Sequence, residues 1–600
     1  MLFLLSLIPL LVAILAIAAL RMESRLIKAI ALLGSISPLL FVPMMVKGVG
    51  TTQNIDWFSV GGGQFTISAT LLPINLLLFV LVSAIGPLVI LYSMGFMDVM
   101  HENKRFYIEI LAFEAAMLAF SIAGNFILLF IAWEFLSITS YLLIGFWYAK
   151  ERASTAARKT ITIILMGDIA MLAAMAILFA SYSTLSFAAI ISQVAAHGMN
   201  SATAAALTLV LFAAFTKSAQ FPFQEWLTAA MEGPTPVSAF LHSSTMVKAG
   251  VFLVMILFPL FQLTRLMPVI VVFGGLTALI GISNALVGRH IKKVLAYSTI
   301  EELSLMFFAL GIGAYAAAIY FFFAQTFYKA LLFFYSGALM KANNTEDITQ
   351  MGGVSRHRLL FISGLFGVLA LAGFVPFDGF FANAFLESSA TNLLSYGFML
   401  MIDLLVSLFI ARWFFIPLKK PKSDAIATKL DFAYGMLPKI MFVPIVILAI
   451  MTLAASYLFG YISSLSNSMA TYGYGIASGT TISYLDMALE SALVVFGVIV
   501  MYALFYRREY REDWKTLLGQ HLLANGRVFE TFYTYVSGFA LHIAGAFEFF
   551  DSELNASFDE IGKGVAGFGN YVRELQTGAV NFYALAAVAG VAVIIILLVA

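Results

Sequence analysis

Charged and ionisable side chains interrupt long apolar segments along this sequence. They are Glu134, Asp168, Lys217, His242, Lys248, Lys329, Asp378, Glu387 and Asp403. A charge at the centre of a bilayer costs about 3 kcal/mol on insertion scales, so each of these residues needs a reason to be there. Desolvation favours the neutral form of a buried lysine and a nearby carboxylate favours its charged form, so such a pair can change protonation when one partner moves. The pattern predicts a path for protons, and static salt bridges between helices are the alternative.

The sequence contains no pattern typical of other reactive sites. No nucleophile–His–acid arrangement, glycine-rich phosphate loop or HExxH motif stands out, and Gly61–Gly63 is expected to be a turn in a loop. The chain has no cysteine, which excludes disulfides, thiolate zinc sites and iron–sulfur clusters bound by this chain. We therefore expect no cofactor or metal on this chain, and any redox centre belongs to a partner. The histidines expected in loops or at helix ends are His101, His197, His290, His357, His521 and His542.

The composition is that of a membrane protein. Of 600 residues, 62% are hydrophobic and only 11% are charged, whereas soluble proteins have about 25% charged residues. The net charge is +1 and the charges are scattered over loops, so no nucleic-acid partner is expected.

Hydropathy predicts an all-α integral membrane fold with about sixteen transmembrane helices. The predicted spans are 2–20, 27–47, 73–97, 108–123, 125–148, 160–181, 204–231, 236–260, 267–288, 294–312, 315–340, 358–387, 390–416, 437–462, 487–506 and 580–600. The first is interpreted as a span, since residues 1–20 lack the basic start and cleavage site of a signal peptide. Lysines and arginines cluster after odd-numbered spans, which predicts a multi-pass protein of the cell inner (cytoplasmic) membrane with both termini outside.

Two of these spans are interrupted by proline. The seventh contains Pro222, five residues after Lys217, and the twelfth contains Pro376, two residues before Asp378. Broken helices five spans apart predict two inverted five-helix repeats with ion sites at the breaks, and ordinary proline kinks are the alternative. The expected division is helices 1–3 over 1–107, a first repeat (helices 4–8) over 108–260, a second repeat (helices 9–13) over 261–416, helices 14–15 over 417–506, a lateral helix over 507–578 and a terminal transmembrane anchor over 579–600.

The segment 507–578 differs from the spans. It is rich in charge but keeps apolar residues at helical spacing, as in Val528, Phe532, Tyr535 and Phe539. This pattern predicts a long amphipathic helix along the membrane or a neighbouring protein, and a cytoplasmic linker helix is the alternative.

Three motifs resemble the antiporter-like subunits of respiratory complex I and of multisubunit Na⁺/H⁺ antiporters. They are residues 232–250, with His242 and Lys248, residues 293–299, and residues 327–333, with Lys329. The amphipathic segment and the last span resemble the lateral helix and anchor of the largest, distal (L-type) subunit of complex I, whose relatives include the F420H2 dehydrogenases.

The resemblance implies roles for the buried residues. Glu134 and Lys217 would form a coupled pair with Asp168 near it, His242 and Lys248 would carry protons centrally, and Lys329 would hand them on. An exit lysine common in the family is replaced by Asn383, so Glu387 or Asp378 would take its place. Further departures are Glu301 and Glu302, where Ser-Gln is usual, and Gln325, where histidine is common.

The function implied is that of a proton-translocating membrane-arm subunit of a complex I-like oxidoreductase, an enzyme subunit without an active site of its own. The resemblance implies partners of the M-, N-, K-, A-, J- and H-types and a peripheral redox arm, in which flavin, iron–sulfur clusters and quinone would be bound. The alternatives are a cation/H⁺ antiporter subunit and a membrane subunit of an energy-converting hydrogenase.

Overall fold

A computed structural model describes residues 2–19, 23–60, 63–97, 103–390, 392–418, 430, 432–472, 474 and 484–503. The chain divides into two compact units, Met1–Asp513 and Trp514–Ala600. The second unit lies outside the described residues, and so do most of the predicted lateral helix, the terminal anchor, His101, His521 and His542.

Most of the described chain is helical. The first helices are α1 (Leu2–Leu5), α2 (Ile8–Ala19), α3 (Ser24–Lys47), α4 (Pro73–Phe96), α5 (Asn103–Ser121), α6 (Phe126–Ile144), α7 (Glu151–Tyr182), α8 (Phe187–His197), α9 (Ser201–Lys217), α10 (Glu225–Ala229), α11 (Thr235–Ser243), α12 (Met246–Ile256) and α13 (Phe258–Phe261). They are followed by α14 (Met267–Val287), α15 (Ile291–Gly311), α16 (Tyr315–Asn343), α17 (Arg358–Leu371), α18 (Asp378–Ser388), α19 (Leu393–Phe415), α20 (Phe442–Tyr457), α21 (Phe459–Ala470) and α22 (Tyr484–Met501). Short 3-10 turns occupy Ala230–Glu232, Ile348–Gln350, Val354–Arg356, Ile416–Leu418 and Lys439–Met441.

Ten helices of the described part are long and apolar enough to cross a membrane. Several other predicted spans correspond to shorter apolar helices, such as α2, α9, α17 and the end of α22. The structure thus agrees with a polytopic helical membrane protein, while the count of sixteen stays a prediction.

The all-α expectation is wrong for the loop between α3 and α4. Strands β1 (Thr52–Val60) and β2 (Gly63–Thr70) form an antiparallel hairpin, in which Thr52 lies opposite Thr70. Gly61 and Gly62 lie outside the described residues. The hairpin is anchored on the loop that joins α5 to α6, because the Thr70 amide donates to Ile122 and the Gly124 amide to Ser68. Its edge groups are therefore satisfied by other backbone.

Both predicted helix breaks are present. The first separates α9 from α10 around Pro222, and the second separates α17 from α18 around Pro376. Both Phe221–Pro222 and Val375–Pro376 are cis, and the residue three positions before each proline has positive φ, at Ala219 (52°) and Gly373 (73°). The two breaks thus share a local conformation, and the assignment of two inverted repeats stays a prediction.

A third break was not predicted from the sequence. The eighth predicted span, 236–260, is divided between α11 and α12, since Ser244 and Thr245 leave the helical conformation. No proline marks this point. The available signal is the run Ser243-Ser244-Thr245, because hydroxyl side chains compete for backbone hydrogen bonds.

The centre of the described unit is formed by α11, α12 and α16, whose most apolar stretches are entirely buried. Helix α16 contacts α11, α15, α17, α18, α20 and α21. In contrast, α3, α7 and α14 leave more than half of their apolar stretch exposed. The ionisable residues on α16 and its neighbours are therefore placed away from lipid.

Candidate functional site

Lys217 is the last residue of α9 and is completely buried at the first break. Its Nζ donates to Ser137 Oγ (2.5 Å) and to the Trp133 carbonyl (3.1 Å), and it lies 3.5 Å from Asp168 Oδ1. The ammonium also lies 4.5 Å from the centroid of the Trp133 ring. The end of a helix favours a cation, because its last carbonyls are without helical partners.

Asp168 of α7 is fixed by two side chains of α6. It accepts hydrogen bonds from Trp133 Nε1 (2.5 Å) and Ser137 Oγ (3.0 Å), and it is 3% exposed. A buried ion pair is tolerated when hydrogen bonds satisfy its remaining atoms, as they do here. Sequence reasoning missed Trp133 and Ser137, although both lie one residue or one turn from Glu134.

Glu134 lies apart from this pair. It is half-buried on a face of α6 that also exposes Phe135 and Ile138. The ion pair that Lys217 forms is with Asp168, and the expected coupling of Glu134 with Lys217 stays a prediction.

Lys248 lies in the first turn of α12 and is completely buried. Its Nζ donates to the Phe322 carbonyl (2.5 Å) and to Thr326 Oγ1 (2.6 Å), both on α16. None of the ion pairs described for this chain includes Lys248. Its direct contacts are these two neutral oxygens and the Phe322 ring, whose centroid is 4.6 Å away, and Glu302 acts on the ammonium from a longer distance.

His242 of α11 is completely buried, and its ring lies 4.6 Å from the Phe333 ring of α16, centroid to centroid. Neither ring nitrogen has a hydrogen-bond partner within the described part of the chain. The same holds for Gln325 Oε1 and for the Tyr320 hydroxyl on α16. Buried polar atoms of this kind normally bind internal water.

Lys329 of α16 forms the second buried ion pair. Its Nζ lies 3.0 Å from Glu302 Oε2 and donates to Ser298 Oγ (2.6 Å). Glu302, one of the two acidic residues singled out in the sequence, is therefore the ion-pair partner of Lys329. Both Glu301 and Glu302 are buried in α15.

Carboxyl groups surround the second break. Asp378 is the first residue of α18, and its Oδ1 accepts a hydrogen bond from the Gly379 amide (3.0 Å). Glu387, one turn after Asn383 on α18, is buried, and so is Asp403 on α19. Glu490 of α22 is also completely buried. It was missed in the sequence, although a glutamate within a predicted transmembrane span is itself a signal.

The remaining described histidines lie at helix ends. His197 is in the last turn of α8, and His290 and His357 accept hydrogen bonds from the first turns of α15 and α17. His290 Nε2 lies 3.0 Å from Glu346 Oε2 in the loop after α16, and this hydrogen bond lowers the pKa of Glu346 to about 2. These contacts join loops to helix ends.

An open cavity of about 380 Å³ lies at the predicted cytoplasmic ends of α7 and α15. Its lining includes Glu151, Arg152, Lys159, Glu232 and Lys293. Lys293 Nζ lies 3.3 Å from Glu232 Oε1, and Lys159 forms an ion pair with Glu225. Over the described residues, no group of three or more His, Asp or Glu side chains is arranged to hold a metal ion.

The sequence and the structure of this chain resemble those of known membrane proteins. Residues 123–410 match the family described as NADH:quinone oxidoreductase/Mrp antiporter, transmembrane. NADH-quinone oxidoreductase subunit L of Mycobacterium tuberculosis is 38% identical over 344 residues, which cover 56% of this chain and 54% of the relative. The chain therefore aligns with about half the length of that relative.

Two further matches extend over most of the chain. F(420)H(2) dehydrogenase subunit L of Methanosarcina mazei is 30% identical over 616 residues, covering 91% of this chain and 89% of the relative. The structure of the Mrp complex from Dietzia sp. has a similar fold, with a TM-score of 0.70 at 22% identity over 89% of this chain and 60% of that chain.

Proposed function

Since the chain belongs to the NADH:quinone oxidoreductase/Mrp antiporter family of membrane subunits, we propose that it translocates protons in the membrane arm of a complex I-like oxidoreductase. Redox chemistry would take place on partner subunits that bind flavin, iron–sulfur clusters and quinone or equivalent carriers. We place the complex in the cytoplasmic membrane, with both termini of this chain outside.

The observation that carries this proposal is the arrangement of three buried lysines around α16 and the first break. Lys217 and Lys329 each contact one carboxylate and one serine hydroxyl, and Lys248 lies between them in sequence with its described hydrogen bonds to neutral oxygens. A lysine with a carboxylate partner holds its proton more firmly than one without, so displacement of the partner would drive a proton toward the next group. His242, Gln325 and Tyr320 offer buried polar atoms for water molecules that would connect these groups.

Static ion pairs explain the same contacts less well. A buried ion pair contributes little net stability compared with apolar residues of similar volume. Lys248 also has no carboxylate partner among the described ion pairs, so structural pairing gives no reason for its charge.

The proposal is tested with Lys217→Ala in inside-out vesicles that contain the whole complex. Proton uptake, followed with a pH-sensitive dye, is divided by the rate of oxidation of NADH or reduced F420, the donors named for two relatives. We expect the ratio to fall at least tenfold, because Lys217 is the only ammonium in contact with Asp168 in the described structure.

Lys159→Ala is the matched control, since Lys159 forms its ion pair outside the apolar core and should pump normally. An unchanged ratio in Lys217→Ala would contradict the proposed proton path.

A cation/H⁺ antiporter subunit is the second candidate. The fold similarity to an Mrp complex is the observation that favours it. An antiporter subunit would need no redox partner. Purification in mild detergent separates the two candidates: flavin and iron–sulfur proteins would co-purify with an oxidoreductase subunit, and only small membrane proteins with an antiporter.

The face of α6 and α7 around Glu134 is the proposed contact with a neighbouring membrane subunit. Glu134 is half-buried there, Phe135 and Ile138 of α6 are exposed, and Ile169 of α7 is exposed as well. A carboxylate at this depth is not stable against lipid tails. A partner that presents a cation or hydrogen-bond donors would cover it.

A further inference from the structure

The two helix breaks share a conformation but not an ionisable residue. Lys217 stands five residues before Pro222 and two before Ala219, whose φ is positive. The corresponding residue at the second break, five before Pro376 and two before Gly373, is Leu371. A leucine cannot bind a proton, and Asn383, which follows the break on α18, cannot bind a proton either.

A carboxylate from outside the two predicted repeats lies at this place. Helix α22 packs against α18 and α19 and carries the completely buried Glu490. A Cβ atom on Gly373 would lie 2.5 Å from Glu490 Oε1 and 2.8 Å from Asn383 Nδ2. Both side chains therefore contact the Gly373 α-carbon, and only glycine leaves room for them there.

Other carboxyl groups belong to α18 and α19, the helices that pack against α22. Asp378 opens α18, and its Oδ2 has no hydrogen-bond partner in the described structure. The carboxyl groups of Glu387 on α18 and Asp403 on α19 are also buried. The second break is therefore equipped with acids able to bind protons, and Leu371 stands where the first break has Lys217.

We propose that Glu490 is the proton carrier of the second break. This inference rests on the proposed function. The Glu490 carboxylate binds a proton that arrives from the side of Lys329 and Glu302, becomes a neutral acid, and returns to the carboxylate when the proton leaves toward the outside. Asn383 is a positioning residue, because its amide stands beside the carboxylate and can donate a hydrogen bond to it.

The test uses Glu490→Gln in inside-out vesicles that contain the whole complex. Glutamine has the size of glutamate, so packing is kept while the titratable group is removed. We expect the ratio of proton uptake to donor oxidation to fall at least tenfold. Glu490→Asp should keep at least half of the ratio because it retains a carboxyl group, and Asn383→Ala should lower the ratio less than Glu490→Gln does. Gly397→Ala on α19 is the control that should leave the ratio unchanged, because nothing lies within 4 Å of its added methyl group.

Moving the carboxylate from position 490 to position 383 distinguishes a proton carrier from a residue that only supports packing. Combining Glu490→Gln with Asn383→Asp keeps both side-chain volumes and moves the carboxylate to the other contact of Gly373. We expect this double variant to pump several times faster than Glu490→Gln alone, which loss of packing would not explain. If Glu490→Gln fails to assemble, Glu490→Asp decides: coupled pumping supports the inference, and an assembled but uncoupled complex overturns it.

Normal pumping by Glu490→Gln together with loss in Lys217→Ala overturns this inference and leaves the proposed function standing. Normal pumping by both variants overturns the proposed function, and this inference with it.

Discussion

Lys217 and Lys329 are both completely buried, and each is held by one carboxylate and one serine hydroxyl. Their carboxylates come from the two predicted repeats, Asp168 on α7 and Glu302 on α15. In the second half of the chain, Glu302 and Glu490 are buried acidic residues, and Asn383 is neutral. The charge pattern there differs from that of the first half.

At the residue scale, the pairing of Lys217 with Asp168 predicts a large loss of stability in Asp168→Asn. Removal of one partner from a buried ion pair costs about 3–5 kcal/mol, because the other charge stays buried without compensation. Thermal unfolding of the detergent-purified complex would show this as a lower Tm. Glu151→Gln, the matched control on the same helix, should change stability by less than about 0.5 kcal/mol, since Glu151 is exposed and makes no described ion pair.

A compensating change sharpens this prediction. Replacing Lys217 by Met in the Asp168→Asn background removes the uncompensated charge and should restore most of the stability, but not proton uptake. The assignment of Asp168 as the partner would be refuted if Glu134→Gln destabilised the complex more than Asp168→Asn.

At the scale of elements, helices that end in mid-membrane need close backbone contacts, because their free carbonyls and amides must be covered by protein. Gly250 on α12 packs against the backbone of α9 at Ala214, and Gly379 on α18 packs against the backbone of α17 at Ala370. A methyl group at either position would overlap a carbonyl oxygen that cannot move independently. These two glycines therefore fix the spacing of the half-helices at the two breaks.

This packing predicts that Gly250→Ala and Gly379→Ala each destabilise the complex by about 1–3 kcal/mol, the usual cost of overpacking. Gly397→Ala is the matched control on α19: no heavy atom lies within 4 Å of its added methyl group, and alanine favours a helix by up to about 1 kcal/mol. Thermal stability of the three purified variants checks the order. Equal stability of all three would show that the close contacts are not required.

At the scale of the whole molecule, the buried centre around α16 and the outer helices have different partners. Helix α16 and the α11–α12 pair are enclosed by this chain, while α6 and α7 present an apolar face with one carboxylate in it. A single ionisable residue on an otherwise lipid-like face is best explained by a protein neighbour. The proposed path and the proposed subunit contact therefore meet at α6, which holds Lys217 on one side and exposes Glu134 on another.

This arrangement predicts that Ile138→Cys will cross-link to a neighbouring subunit. The chain has no cysteine of its own, so an introduced thiol reacts at one place only. Leu40→Cys on α3 is the control. The Leu40 side chain is 75% exposed, and α3 contains no aspartate or glutamate. Mass spectrometry of the cross-linked bands in native membranes should find a protein adduct at Ile138→Cys and little or none at Leu40→Cys. Equal cross-linking would contradict the assignment of this face.

The properties that depend only on neighbouring residues could be predicted from the sequence alone. Membrane character, the position of the breaks at Pro222 and Pro376, and the set of buried lysines follow from hydropathy and from the missing amide of proline, which depend on neighbouring residues only. The family resemblance, read from three short motifs, was confirmed by the comparisons. The break at Ser244–Thr245 and the β-hairpin were missed because their signals are weak and depend on what packs against them.

Only the tertiary structure decided which charges meet. Asp168, rather than Glu134, pairs with Lys217 because the rotation of α6 turns Trp133 and Ser137 inward and Glu134 outward. Glu302 meets Lys329, and Glu490 reaches Gly373, because α15 packs on α16 and α22 packs on α18. Helix rotation and the choice of packing neighbours arise from contacts between segments far apart in the chain. The sequence alone determined that ionisable residues lie in the membrane, and packing determined their partners.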